Sequence, residues 1–489
     1  MVKNSFWLIA QPLLMNAISL FQVAYVARHL GKIGYGRFVF AIAFTAMFTP
    51  VTNLGLRLLT VRHIATSDRK DVATYVGRMT TLRFLLSLLG AGLSLLIVSF
   101  IHQTPETKEI VHLASAIIVL QALTSTMTDV FQGFENMRLD AQVRFTAGMV
   151  NTVASVVAVF LGYGVVGVMA TYVLGNLVGT VLAAYYLFSR FTVPKLAIDF
   201  AFWKENLVKA VPFFFPTLIN QAGSRIGIVI LAAMVGEAAV GTYGAASSLV
   251  EKLIVIPDGV CSALFPTLAA VYTSSRPEAG ALYRKFFGYF FIIGLPIAIG
   301  TGIVSGSIIT LIYGQNYQGS PLVLALLIWG LFMNLFTSLQ GWSAGAIHQE
   351  RRVFFIPIIA TAIHLVFAVV LIKLFQEKGL AIAGIVLGAV SYLLYNVVIR
   401  ATLSPRSLQP GLFWKVLLAN GVMAAVTYPL RSLPVVVPIA AAAVTYGALA
   451  VGLRIVSREE LAAVTKLVRK RMRRSRPAPP ADATPTAAG

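Results

Sequence analysis

A chain of 489 residues, 58% hydrophobic and only 12% charged, carries too few charges to cover a soluble surface, so a soluble globular protein is excluded in favour of a polytopic membrane protein. Its 39 Lys and Arg against 18 Asp and Glu leave a net charge of +21, which in such a chain points to basic cytoplasmic loops before it points to nucleic acid. The single cysteine, Cys261, sits in an apolar run with no partner for a disulfide or a cysteine metal site, and packing is its expected role.

At the N-terminus, Lys3 precedes an apolar run from Phe6 to Tyr25 that passes Gln11 and Pro12 without an Ala-x-Ala cleavage site, so it reads as a retained span. Apolar runs bounded by Gly, Pro or charge predict spans near 5–28, 35–56, 80–101, 110–133, 145–162, 165–188, 208–235, 240–270, 286–312, 320–346, 353–375, 380–399, 412–430 and 434–455. The expected fold class is therefore an all-α polytopic membrane protein with about 14 transmembrane helices. If the N-terminus is cytoplasmic, inner segments collect 30 of the 39 Lys and Arg and outer segments 7, leaving Arg225 and Lys252 inside spans. In that count Arg83 belongs with the inner loop after the second span. Both termini are then expected to be cytoplasmic.

Leu30-Gly31, Gly36 and Phe38 match Val235-Gly236, Gly241 and Tyr243 at a constant offset of 205 residues. Six spans lie between the copies, so the halves share one orientation, a parallel repeat that in transporters builds two bundles around a site at the midplane. Gln132-Gly133-Phe134 against Gln340-Gly341-Trp342, at an offset of 208, is expected to mark equivalent ends of spans 4 and 10. This divides the chain into a six-helix lobe over 1–190, a second over 205–400, and two appended helices over 411–456. Over 457–476, Ser457-x-x-Glu460 and the apolar positions Leu461, Val464, Val468 and Met472 among basic residues predict a basic amphipathic cytoplasmic helix, which fits anionic inner-leaflet lipids. A solvated basic anchor is the alternative. The segment 477–489, rich in Pro, Ala and Thr, is expected to be disordered.

Phosphate-loop, H-E-x-x-H and G-x-S-x-G motifs are absent, so neither a nucleotide nor a metal or other cofactor is expected. Of the scattered histidines only His364 sits well inside a span, where packing or a hydrogen bond competes with proton relay. The ionisable groups within spans are Arg225 in span 7, Glu251, Lys252 and Asp258 in span 8, and Asp129 and Arg57 near inner ends. Arg57 is expected to snorkel to the cytoplasm, and Asp129 to pair with Arg138. Arg225 lies too deep to snorkel, and from the antiparallel register it meets Glu251 at one level, with Asp258 on the same face as Glu251. The repeat-equivalent positions are Leu20 and Ala46, so these charges belong to one half alone. Two readings stand: a static ion pair, or a site in which Arg225 exchanges between Glu251 and an anion. Prolines within spans (Pro12, Pro50, Pro212, Pro216, Pro257, Pro266, Pro296 and Pro357) fit either broken, cavity-lining helices or simple kinks.

The residues Asn53-Leu54-Gly55-Leu56 followed by Val61-Arg62-His63-Ile64-Ala65, Leu30-Gly31 with Gly36, Phe131-Gln132-Gly133-Phe134 before Met137-Arg138, Val240-Gly241-Thr242-Tyr243-Gly244-Ala245-Ala246 and Leu264-Phe265-Pro266 resemble the polysaccharide transport family. These are the lipid-linked oligosaccharide flippases of the multidrug/oligosaccharidyl-lipid/polysaccharide exporter superfamily, and the resemblance spans roughly residues 1–456. Two positions depart from the pattern: His63 replaces a usual Glu, and Gly227 stands where many members carry an Asp. The resemblance implies two lobes that alternate between inward-open and outward-open states in a bacterial-type inner membrane, carrying a polyprenyl-diphosphate-linked glycan outward, with no catalysis and with proton or sodium coupling. Arg225, Lys252, Asn16, Gln22, Asn220, Gln221 and Asn151 are the expected substrate contacts, although Asn and Gln also join helices, and Glu251 and Asp258 are the expected coupling acids. The competing functions are a cation-coupled multidrug exporter of the same superfamily and a membrane glycosyltransferase or polymerase. The second needs a sizeable external loop, and the longest outer connector here is about ten residues.

Overall fold

The computed structural model describes residues 2–66, 69–101, 103–403 and 410–455, less the side chains of 2–14, 69–70 and eight positions between 212 and 224. The segments expected at 457–476 and 477–489 lie outside the described residues. Among those described there is no strand. The helices in chain order are α1 (Val2–Ala46), α2 (Thr49–Asn53), α3 (Leu56–Thr66), α4 (Arg69–Phe100), α5 (Pro105–Gly133), α6 (Met137–Phe160), α7 (Gly164–Arg190), α8 (Phe200–Met234), α9 (Glu237–Ser274), α10 (Arg276–Tyr313), α11 (Ser320–Ala346), α12 (Glu350–Val353), α13 (Ile356–Phe375), α14 (Glu377–Leu403), α15 (Pro410–Thr427) and α16 (Val436–Gly452). Eleven helical segments among the described residues are long and apolar enough to cross a membrane, and each of the expected apolar runs falls on helix. In hydrocarbon only such internally bonded backbone is viable, which is why apolarity alone located the spans.

The starts follow local chemistry. Thr104 caps α5 ahead of Pro105, the Asp199 carboxylate accepts the Phe202 N–H at 2.9 Å ahead of α8, and Ser275 caps α10. Pro50 and Pro357 open α2 and α13 instead of kinking a span, whereas Pro257, Pro266 and Pro296 do lie inside α9 and α10.

The repeat at offset 205 is real in the backbone. Gly31 breaks α1 into two arms with φ 65° and ψ 178°, and Gly236 breaks the chain between α8 and α9 with φ 109° and ψ −179°, a region open only to glycine. The second match marks no equivalent ends, because α11 runs five residues past Gly341 to Ala346. The turns that do correspond place Glu135 and His348 at φ 56° and 58°, with Asn136 N bonding Phe131 O and Gln349 N bonding Ala344 O. That is an offset of 213, so the shared Gln-Gly pair is coincidental.

The halves meet along α1 and α9, α15 packs on α10, and α16 packs on α15 and α10. The first turns of α8 are anchored on the first half: Trp203 packs with Leu56, Tyr75 and Met79, its Nε1 donates to Arg78 O at 3.3 Å, and Arg78 pairs with Asp199 at 3.0 Å. Further along, α8 lies against α9 and α13.

Candidate functional site

Arg225 on α8 and Glu251 on α9 meet, with Nη1 donating to Oε1 at 2.9 Å. The turn at Val235-Gly236 folds the two helices antiparallel, and the long guanidinium side chain reaches across. Both groups are accessible, at 34% and 45% exposure, as a site requires and a sealed pair would not be. Lys252, half-buried, has no ion-pair partner among the described residues, and Gln221 is exposed one turn before Arg225. Asp258 accepts from Ser338 Oγ at 3.0 Å and lines a cavity of about 910 Å³ inside the second half.

The remaining expected contacts do not converge on this pair. Gln22 is buried, donating to Ser155 Oγ at 3.0 Å and accepting from Thr152 Oγ1 at 3.1 Å. Ser155 also contacts Asn151 Oδ1 at 3.2 Å and Thr171 Oγ1 at 2.6 Å, so these polar groups join α1, α6 and α7, the alternative role of amides in membrane helices. Asn151 also faces a cavity of about 460 Å³ in the first half with Thr49, Asn53, Gln121 and Asn176. Asn16 is half-buried on α1, and the Asn220 side chain lies outside the described residues.

Asp129 does not pair with Arg138. Its Oδ2 accepts from Arg83 Nη1 at 2.7 Å with both side chains buried, and Arg57 Nε approaches Oδ1 at 3.5 Å. Arg83 is thus no loop residue: α4 begins at Arg69, so Arg83 stands 14 residues along the helix, about 21 Å from its start. Arg57 is 61% exposed and donates to Gln132 Oε1 at 3.0 Å. His63 stacks on Tyr75 with ring centroids 3.8 Å apart, and burial pushes its pKa down. At Gly227 an added Cβ would stand 2.6 Å from Leu380 Cδ1, the end of a side chain that would have to turn aside. Cys261 is packed, and His364 Nδ1 lies 3.0 Å from Ala383 O, the hydrogen-bonded alternative.

Two further features were not legible in the sequence. At one end of the bundle the halves close on each other: Arg37 Nε donates to Glu237 Oε2 at 2.6 Å and also pairs with Glu106. Glu237 further accepts from Thr104 and Thr107, and within the second half Ser320 Oγ donates to Thr242 O at 2.8 Å. An apolar trough of about 570 Å³ opens between α10, α15 and α16, lined by Pro296, Ile439 and Tyr446. Through Ile293 and Ile297 it adjoins a smaller apolar cavity of about 150 Å³ that ends on α9 at Leu253, Ile256 and Pro257, on the face of that helix turned away from Glu251.

These features invite comparison with known proteins. A Shigella flexneri protein named as an O-antigen transporter is 22% identical over 349 residues, 68% of this chain and 82% of that protein. Lipid II flippase MurJ of Bacillus subtilis is 29% identical over 159 residues, 30% of this chain and 29% of that one. Among solved structures, lipid II flippase MurJ in an inward closed conformation superposes with a TM-score of 0.76 at 13% identity, covering 93% of this chain and 99% of that chain. An inward-facing MATE multidrug resistance transporter of the MOP superfamily gives 0.65 at 16% identity, covering 81% and 96%. The fold is the one these transporters share. Residues 1–271, more than half of the chain, match the sequence model of the polysaccharide biosynthesis proteins, and to that family this membrane protein belongs.

Proposed function

We propose that the protein translocates a polyprenyl-diphosphate-linked oligosaccharide repeat unit from the inner to the outer leaflet by alternating access, for polysaccharide export. The observation that carries this reading is the accessible Arg225–Glu251 pair between α8 and α9, with Lys252 one residue on and without an ion-pair partner among the described residues. Accessible cations within membrane-spanning helices suit a lipid whose tail stays in hydrocarbon while its diphosphate is held by charge-assisted hydrogen bonds. The names of the Shigella and Bacillus relatives support the same substrate class.

In this mechanism Arg225 is held by Glu251 when the site is empty and by the diphosphate when it is loaded, and the released Glu251 takes a proton, which links transport to an ion gradient. The Arg225→Ala/Glu251→Ala protein is expected to unfold at the wild-type temperature and to translocate no lipid-linked glycan in proteoliposomes. Full activity in that double variant overturns the exchange.

The charge bias of the sequence supports a cytoplasmic placement of both termini and of the first turns of α4 (69–75), with the closed Arg37–Glu237 end outside. In a Cys261→Ala background, Gln103→Cys is expected to be labelled from outside intact cells and Thr74→Cys to be labelled only after permeabilisation. The reverse pattern inverts the orientation.

A further inference from the structure

A cavity of about 910 Å³ lies in the second half and has no part in the charge exchange at Arg225. Its walls combine aromatic faces (Trp342, Phe265 and Tyr395) with planar or hydroxylic hydrogen-bonding groups (Asp258, Asn334 and Ser338). Trp342 is 40% exposed and is steadied edge-on by Phe265, with ring centroids 5.9 Å apart. Asp258 uses Oδ1 for Ser338, and Asn334 Oδ1 has no hydrogen-bond partner among the described residues. A buried amide oxygen without a partner costs stability unless something else satisfies it. Flat aromatic faces beside amide and carboxylate oxygens match a pyranose ring, whose C–H face stacks on an aromatic while its hydroxyls donate to such oxygens.

The position of the cavity names the sugar. Gly223 on α8, two residues from Arg225, lines it, and Asp258 is seven residues past Glu251, about 10.5 Å further along α9. A head group whose diphosphate sits at Arg225 therefore places its next unit here. Among the described residues no cation lines the cavity, and the one formal charge in its wall is the Asp258 carboxylate. An anionic sugar would meet repulsion without a counter-charge.

We propose that this cavity is the recognition site for the diphosphate-proximal sugar of the lipid-linked glycan, and that it takes a neutral hexose or an N-acetylhexosamine and rejects a uronic acid. The inference rests on the proposed lipid-diphosphate substrate. It places Asp258 with the sugar hydroxyls instead of with a coupling ion.

The test fills the cavity without disturbing the fold. An added Cβ at Gly384 meets nothing within 4 Å, so Gly384→Leu projects a side chain into the space, and Trp342→Ala removes the aromatic face. Proteoliposomes containing each variant would be given polyprenyl diphosphate bare, carrying one N-acetylglucosamine, or carrying one glucuronic acid. Folding is checked by thermal unfolding. In both variants KM for the N-acetylglucosamine lipid is expected to rise about tenfold or more while translocation of the bare lipid stays within about twofold of wild type. Asp258→Asn is expected to admit the glucuronic acid lipid. Equal loss for bare and sugar-bearing lipids, or no change for either, overturns the sugar site and leaves the flippase reading standing. No translocation of any lipid by the wild type removes the flippase reading and the sugar site with it. Binding of tetraphenylphosphonium that Asp258→Asn abolishes, with no dependence on sugar, assigns the cavity to organic cations and overturns the proposal.

Discussion

Gly36→Val and Gly241→Val are each expected to abolish transport, by about a hundredfold or more, in protein that still inserts and folds. A Cβ built on Gly36 would stand 1.8 Å from Glu237 O, and one on Gly241 would stand 1.8 Å from Lys32 O. The two contacts are reciprocal, each glycine facing the carbonyl four residues before the other, as a pseudo-two-fold axis between the halves demands. Both obstacles are backbone, so no side chain can swing aside, and the helices must part until the contact exceeds about 3.4 Å. That separation removes Arg37, Thr104 and Thr107 from Glu237, and hydrogen bonds to a charged group of this kind contribute about 1.5–3 kcal/mol each. A transporter that cannot close one end cannot alternate. The readout is threefold: glycan translocation falls, a cysteine placed at Thr242 becomes reactive from the side that the closed end seals, and the unfolding temperature drops as those bonds are lost while the protein still folds. Gly92→Val, where an added Cβ meets nothing within 4 Å, serves as the innocuous control. Retained translocation in Gly36→Val would show that this contact is no part of the cycle.

The hinge and this contact were visible in the sequence because backbone geometry leaves glycine no substitute at either place. Left-handed conformation at Gly31 and Gly236, and helix approach at Gly36 and Gly241, force one residue type at one spacing, which is why an offset of 205 stood out. The later register was hidden for the opposite reason. Glu135 and His348 occupy the left-handed region without being glycine, so the corresponding turns share conformation but no letter, and a chance Gln-Gly pair took their place. Arg225 and Glu251 were matched by depth because a two-residue turn fixes the register of α8 against α9. Arg83 and Asp129 were not, since nothing in the sequence tells how α4 lies on α5. An arginine 14 residues into a helix whose first turns are polar looks like one more positive flank. The amides were misleading in a similar way: Gln22 is committed to Ser155 and Thr152, and only the three-dimensional neighbours distinguish such a joint from a ligand contact.

That buried pair yields the second large effect. Asp129→Leu is expected to destabilise the protein by about 3–5 kcal/mol, because Arg83, 0% exposed, would keep its charge with no counter-charge. Its Nε and Nη2 already lack hydrogen-bond partners among the described residues, and Thr126 Oγ1 at 3.4 Å is a neutral contact that cannot replace a carboxylate. Arg83→Met should cost less, about half as much, since Asp129 would retain Arg57, whose side chain is 61% exposed and free to move in from 3.5 Å. The order of the two single variants therefore follows from which partner has a substitute. Replacing both, Arg83→Met with Asp129→Leu, puts well-packed apolar groups where two charges were, and should recover most of the loss because neither charge is left buried alone. Unfolding temperature in detergent and the amount of folded protein in membranes measure all three. Because the pair lies inside the first half, away from the accessible Arg225–Glu251 site, the double variant should also transport. A double variant as unstable as Asp129→Leu would mean that the pair fixes the packing of α4 on α5 by its geometry and not merely by mutual neutralisation.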